Sequence, residues 1–181
     1  MFRRFIRALR YTLILLRAWP RPARRRLLRR MLAFSRALPQ QFNRPLPAMM
    51  AHLTPAPQAE AAAAHNGALA EPEIRQLADA VAAWQLRSPL GICLRRSLLR
   101  YYFLREAGLP VKISFGARLK SEQEGSGLGG HAWLTLNGRA YYEPLANYEG
   151  FVVMYSYPPD HEPAGAIAPP SGSSTALERP A

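Results

Sequence analysis

Cysteine is nearly absent: Cys93 is the only thiol among 181 residues. That excludes an internal disulfide framework and any zinc or iron–sulfur centre built from several cysteines, and it fits a reducing compartment. Long apolar runs are missing as well. No stretch approaches the roughly 18 residues of a spanning helix, and the longest early run, Thr12 to Leu16, stops at Arg17. The start of the chain has the positive charge of a signal n-region, but the apolar part is short and no Ala-x-Ala site follows, so no secretory signal is expected. No metal-ligand spacing is present. Gly125 to Gly130 lacks the Lys and the helix of a phosphate-cradling loop, so no cofactor and no metal is expected. Acidic residues and Lys are absent from residues 1–36, which hold twelve Arg. Because the whole chain carries +12, the remaining residues sum to zero and the basicity belongs to one segment.

Apolar residues make up 49% of the chain, enough for a core, and the length suits one domain with extensions. Phe2, Phe5, Ile6, Leu9, Leu13 and Leu16 recur at helical spacing with Arg between them. Pro20 and Pro22 interrupt this pattern, and a second helical stretch, Ala23 to Ala37, places Leu27, Leu28, Met31, Leu32 and Phe34 among Arg. Residues 1–37 therefore read as an Arg-rich amphipathic helical segment. It suits packing on its own domain, docking on acidic protein, or peripheral contact with an anionic membrane. Nucleic acid is disfavoured, since no aromatic residues interleave with the Arg in a strand pattern. Residues 38–70, punctuated by Pro and ending in an Ala-rich tract, read as a linker. Residues 158–181, rich in Pro, Gly, Ser and Ala, read as a disordered tail.

Residues 71–157 read as the core. Glu71-Pro72-Glu73 opens a helix with Pro in its first turn and acids at the positive dipole end. Ile74, Leu77, Val81 and Trp84 form its apolar face. A second helix runs from about Ile92 to Ala107, with Gly108 as C-cap. Val111 to Leu119 alternates like a strand, Lys120 to Gly130 is a polar loop, His131 to Leu136 and Arg139 to Glu143 form a hairpin, and Phe151 to Tyr157 is a further strand.

Cys93 opens the second helix, where unpaired N–H groups and the dipole favour thiolate over thiol, as do the neighbouring Arg95 and Arg96. A thiolate is a nucleophile, and it needs an imidazole to move its proton. His131, at the start of a strand, supplies one; His52, His65 and His161 lie in low-complexity or tail segments. Glu143 is the candidate for orienting the imidazole. A three-residue loop, Leu136-Asn137-Gly138, would set His131 directly opposite Glu143, whereas a two-residue Asn-Gly turn would send Glu143 to the other face. The triad therefore predicts the longer loop. Trp133 shares the face of His131 by alternation.

The block from Cys93-Leu-Arg-Arg-Ser-Leu-Leu through Gly108-Leu-Pro, followed by Gly130-His131-Ala-Trp-Leu and then Glu143-Pro144, resembles the transglutaminase-like cysteine peptidases of lasso peptide biosynthesis, the microcin-processing B proteins. The resemblance covers about residues 74–155. It implies an α+β, papain-like core, with a nucleophile-bearing helix packed on an antiparallel sheet and N-terminal helices. It further implies catalytic Cys93, His131 and Glu143 and removal of a leader from a ribosomal precursor peptide in the cytoplasm or at the inner face of the membrane. Glu143 stands where the wider fold usually carries Asp. The implied partners are the precursor, a separate small leader-binding protein, because the first 80 residues lack the strands of a fused one, and an ATP-dependent asparagine-synthetase-like cyclase. Acyl transfer to an amine and a non-catalytic scaffold are the competing expectations.

Overall fold

The computed structural model describes residues 2–55, 69–84 and 88–159. The Ala-rich tract and the tail from residue 160 onward lie outside the described residues, as do His65 and His161. The chain forms α1 (Phe2–Ala18), α2 (Pro22–Gln41), α3 (Leu46–Leu53), α4 (Glu71–Trp84) and α5 (Ile92–Glu106). It then forms β1 (Lys112–Leu119), a short 3-10 turn (Glu122–Glu124), β2 (Leu128–Leu136), β3 (Arg139–Ala140), α6 (Leu145–Tyr148) and β4 (Val152–Tyr157). The result is an α+β arrangement, with α5 and the helices around it on one face of a four-stranded antiparallel sheet of order β3-β2-β1-β4.

Helix α5 is the central element. Leu98, Leu99, Tyr101, Phe103 and Leu104 are buried around most of its circumference, because the sheet and the other helices enclose it. One face of the sheet meets it through Ile113, Phe115, Leu134, Leu136, Tyr155 and Tyr157. Its C-terminus stops at Gly108, whose φ of 87° is open to glycine at no steric cost. There Leu109 N–H reaches the Leu104 carbonyl at 2.9 Å and Gly108 N–H reaches that of Arg105 at 2.8 Å, closing off carbonyls the helix leaves unpaired.

The N-terminal helices belong to the same core. Leu28, Met31 and Leu38 of α2, with Met49, Met50 and Leu53 of α3, are buried in one cluster with Ile74, Leu77 and Tyr101. Arg30 pairs with Glu106 and Arg24 with Glu73, tying α2 to α5 and α4. The linker expected over residues 38–70 is thus corrected for its first part. Residues 38–53 are largely helical, and Pro45 and Pro47 sit at the start of α3, where a missing N–H costs nothing. Pro39 lies within the last turn of α2. Proline here opens and closes helices instead of breaking them. A smaller correction concerns α4: Ile74, Leu77 and Val81 are buried as the spacing predicts, but Trp84 is exposed. Among the described residues no helix is long and apolar enough to cross a membrane.

Candidate active site

The site forms where the start of α5 meets the free edge of β2. β3 pairs with β2 only at Thr135 and Leu136, so the edge of β2 around Ala132 has no strand beside it. The first turns of α5 take that place. Ser97 Oγ donates to the Ala132 carbonyl at 2.7 Å, fixing the helix against the strand. The backbone N–H groups of Ala132 and Leu94 both face the Cys93 sulfur. Gly91 precedes the helix without a side-chain cap, and the first-turn N–H groups stay at the thiol's end of the helix.

Cys93 and His131 lie close enough for each to be the largest influence on the other's pKa. The hydrogen bond to the imidazole lowers the thiol pKa most, and the backbone N–H groups add to it, against burial, which raises it. The bond to Cys93 and then that to Glu143 raise the imidazole pKa to about 9, again against burial. Both shifts act in the direction of a thiolate–imidazolium pair.

Glu143 is the third member of this cluster. Its Oε1 lies 3.2 Å from His131 Nε2 and takes a hydrogen bond from Asn147 Nδ2 at 2.6 Å, while Arg96 donates to Oε2 at 2.7 Å. The carboxylate is only 2% exposed. Burial alone would raise its pKa, but the bonds from His131 and Asn147 and the Arg96 charge outweigh that and hold it below the ordinary carboxylate range.

The three side chains thus come together, but by a different route from the one the hairpin register predicts. Thr135 pairs with Ala140 and Leu136 with Arg139, so the turn is the two-residue Asn137-Gly138, with φ of 51° and 75° as a primed turn requires. Continued pairing in that register would carry Glu143 away from His131. Pairing instead ends after Tyr141, whose N–H still reaches the Leu134 carbonyl at 2.8 Å. Tyr142 then turns the chain with a φ of 48°, rare for a bulky residue. This turn, and not the ladder, delivers Glu143 to the imidazole.

One stripe of α4 holds that turn. Glu71, Arg75 and Asp79 recur at i, i+4 and i+8. Glu71 accepts from the Tyr141 hydroxyl, and the Arg75 guanidinium lies 3.7 Å from the centre of the Tyr142 ring. Asp79 takes both arms of the buried Arg100 at 2.6 and 2.7 Å, and Arg100 also points at the Tyr142 carbonyl at 3.4 Å. Glu71 shows in the sequence only as a helix-opening acid, for Arg75 and Asp79 the one signal is the i, i+4, i+8 polar spacing in α4, and nothing in the sequence marks Asn147. Arg95 and Arg96 were expected to act on the thiol directly. In fact Arg95 is buried and bonds the Leu90 carbonyl at 3.1 Å, and Arg96 engages Glu143.

Aromatic rings close the site. Trp133, on the face of His131, stacks on the imidazole with centroids 5.8 Å apart and on Tyr148 of α6 at 5.6 Å. Phe151 lies 5.5 Å from the imidazole. Gly116 makes room for this: a Cβ there would come within 2.8 Å of the Trp133 ring. His52 sits on α3, exposed and remote from the cluster in the fold.

The model of a family described as the transglutaminase-like superfamily matches residues 2–156, and the chain belongs to that superfamily. The match begins within α1, so it takes in the N-terminal helices together with the sheet. No curated protein and no solved structure matches the chain.

Proposed function

We propose that this member of the transglutaminase-like superfamily is a cysteine peptidase that removes the leader from a ribosomally made lasso peptide precursor in the cytoplasm. It would work with a separate leader-binding protein and an ATP-dependent asparagine-synthetase-like cyclase. The observation that carries the chemistry is His131 set between Cys93 at the start of α5 and the buried Glu143 carboxylate, 3.2 Å from its Nε2. The lasso assignment rests on the sequence resemblance around Cys93, His131 and Glu143.

The steps follow from the groups. The Cys93 thiolate adds to the scissile carbonyl carbon, and the carbonyl oxygen takes up the electron pair as an oxyanion. The backbone N–H of Cys93, in the open first turn of α5, is the donor for it. Imidazolium His131 gives its proton to the leaving amine as the C–N bond breaks, which leaves a thioester on Cys93. Neutral His131 then takes a proton from water as that water attacks the thioester. Collapse of the second tetrahedral intermediate breaks the C–S bond and releases the carboxylic acid, which ionises in water, leaving thiolate and imidazolium. Glu143 stays ionised, accepts from Nε2 and fixes the ring's orientation, the role an acid has in such triads. Stacked Trp133 and Phe151 restrict water around the ring.

The test is cleavage of a precursor peptide by the purified protein together with a leader-binding protein, read by mass spectrometry. Leader and core fragments differing from the precursor by one added water support hydrolysis. A product joined to an added amine indicates acyl transfer, and binding without cleavage indicates a scaffold. Cys93→Ala must abolish cleavage while leaving precursor binding unchanged.

A further inference from the structure

Helix α1 carries two apolar faces. Ile14, Leu15 and Ala18 turn inward onto the core. Leu9, Leu13 and Leu16, at i, i+4 and i+7, form a second row that is 51%, 43% and 63% exposed. The sequence continues that spacing back to Phe5 and Phe2. Trp19, at the turn that follows, is 57% exposed, with the Arg29 guanidinium 5.9 Å from its ring centre. One inward face is enough to hold a surface helix on its domain, so folding does not account for the outer row.

The charge beside this row is mainly positive. A cleft of about 360 Å³ between the end of α1, the start of α2 and α4 is lined by Arg17, Arg21 and Arg24, with Glu73 as its one acid. Glu73 is already paired with Arg24. Among the described residues no carboxylate pairs with Arg17 or Arg21. Unmatched guanidinium groups thus adjoin an exposed leucine row, and a tryptophan marks its end.

We propose that this face docks on an anionic lipid bilayer. Leu9, Leu13 and Leu16 enter the boundary between headgroups and acyl chains, Trp19 sits at headgroup level, and Arg17 and Arg21 meet lipid phosphates. The row spans about 10 Å of helix, which suits a helix lying in the interface. A nucleic acid would engage the guanidinium groups but would give the leucine row nothing apolar to bury against.

The experiment is co-sedimentation of the full chain with phosphatidylcholine vesicles, with and without phosphatidylglycerol, at low salt. The chain is expected to sediment with the anionic vesicles and to stay in solution with phosphatidylcholine alone. Salt at about 0.5 M, where screening acts within a few Å, is expected to release it. The double variant Leu13→Ser/Leu16→Ser is expected to lower the partition about tenfold or more, and Arg17→Gln/Arg21→Gln to lower it and flatten its salt dependence. All four side chains are exposed, so both variants are expected to keep the parent's circular dichroism and thermal transition. Equal sedimentation with both vesicle types overturns the proposal. So does an unchanged partition for the leucine variant, which would make the site a plain basic patch. A chain that is dimeric without lipid, and that the leucine variant turns monomeric, overturns it too by making the row a self-interface.

Discussion

Each group in the site acts through the next. Cys93 is lowered first by its bond to His131, and His131 is raised to about 9 by Cys93 and then by Glu143. Glu143 is held ionised by His131, Asn147 and Arg96 together, against its own burial. Activity needs thiolate and imidazolium at once. It therefore rises as pH climbs through the lowered Cys93 pKa and falls as pH passes about 9, where His131 loses its proton. Glu143→Gln removes one of the groups that raise the imidazole. It is expected to move the alkaline limb to lower pH and to lower kcat/KM by about 10²-fold or more. Asn147→Ala leaves the His131 bond in place and is expected to cost about tenfold, with a smaller shift in the same limb. A pH–rate profile on a fluorogenic precursor peptide checks both. The three central side chains were legible from residue type and position: a cysteine opening a helix, a histidine opening a strand, an acid beyond the turn. Arg96 and Asn147 were not, because their role comes from the direction of a buried carboxylate, which no spacing encodes.

At the scale of elements, the site depends on irregularities. A continued hairpin in the observed two-residue register would separate Glu143 from His131. The left-handed Tyr142 turn reunites them, clamped by Glu71, Arg75 and the Asp79–Arg100 pair. Strand alternation and turn chemistry can be read from a sequence, but the point at which a ladder stops depends on what lies beside it, here a polar stripe of α4. Arg75→Ala removes the group lying over the Tyr142 ring and is expected to loosen the turn. Activity should fall about tenfold while Cys93 stays reactive toward a small alkylating reagent; equal loss of both would place the effect on the fold instead. Gly116 is a second such point, because Trp133 occupies the space of its missing side chain. Gly116→Ala is expected to displace Trp133 from the imidazole, to lower activity about tenfold, and to destabilise the chain by about 1–3 kcal/mol. Near-ultraviolet circular dichroism and thermal unfolding read the two effects separately.

Considered whole, the chain cannot be divided where its composition suggests. Charge and proline change sharply between the Arg-rich segment, the stretch after it and residues 71–157, which predicts separable parts. Packing overrides both: Met31, Leu38, Met49 and Met50 are almost fully buried, and Thr54 bonds the hydroxyl of buried Tyr101 at 2.8 Å. Truncating one such side chain costs about 2–5 kcal/mol, and a whole domain has about 5–15 kcal/mol to spare. A chain lacking residues 1–55 is therefore expected to show no cooperative thermal transition, and a sharp transition for it would show that the sheet and α5 fold alone. The helix pattern and the α+β class were readable beforehand because periodicity survives in each segment. Their assembly into one core was not, since α2 and α3 show apolar faces with nothing in the sequence to say which partner covers them.

The proposed chemistry depends on His131 lowering the pKa of the Cys93 thiol. With one cysteine in the chain, thiolate absorbance in the ultraviolet, or the rate of alkylation by iodoacetamide, reports on that group alone. Followed against pH for the parent and for His131→Ala, the measurement should show a thiolate persisting below the ordinary range of about 8.5 in the parent and returning toward it in the variant. Coincident titrations with ordinary thiol behaviour in both proteins would contradict the account.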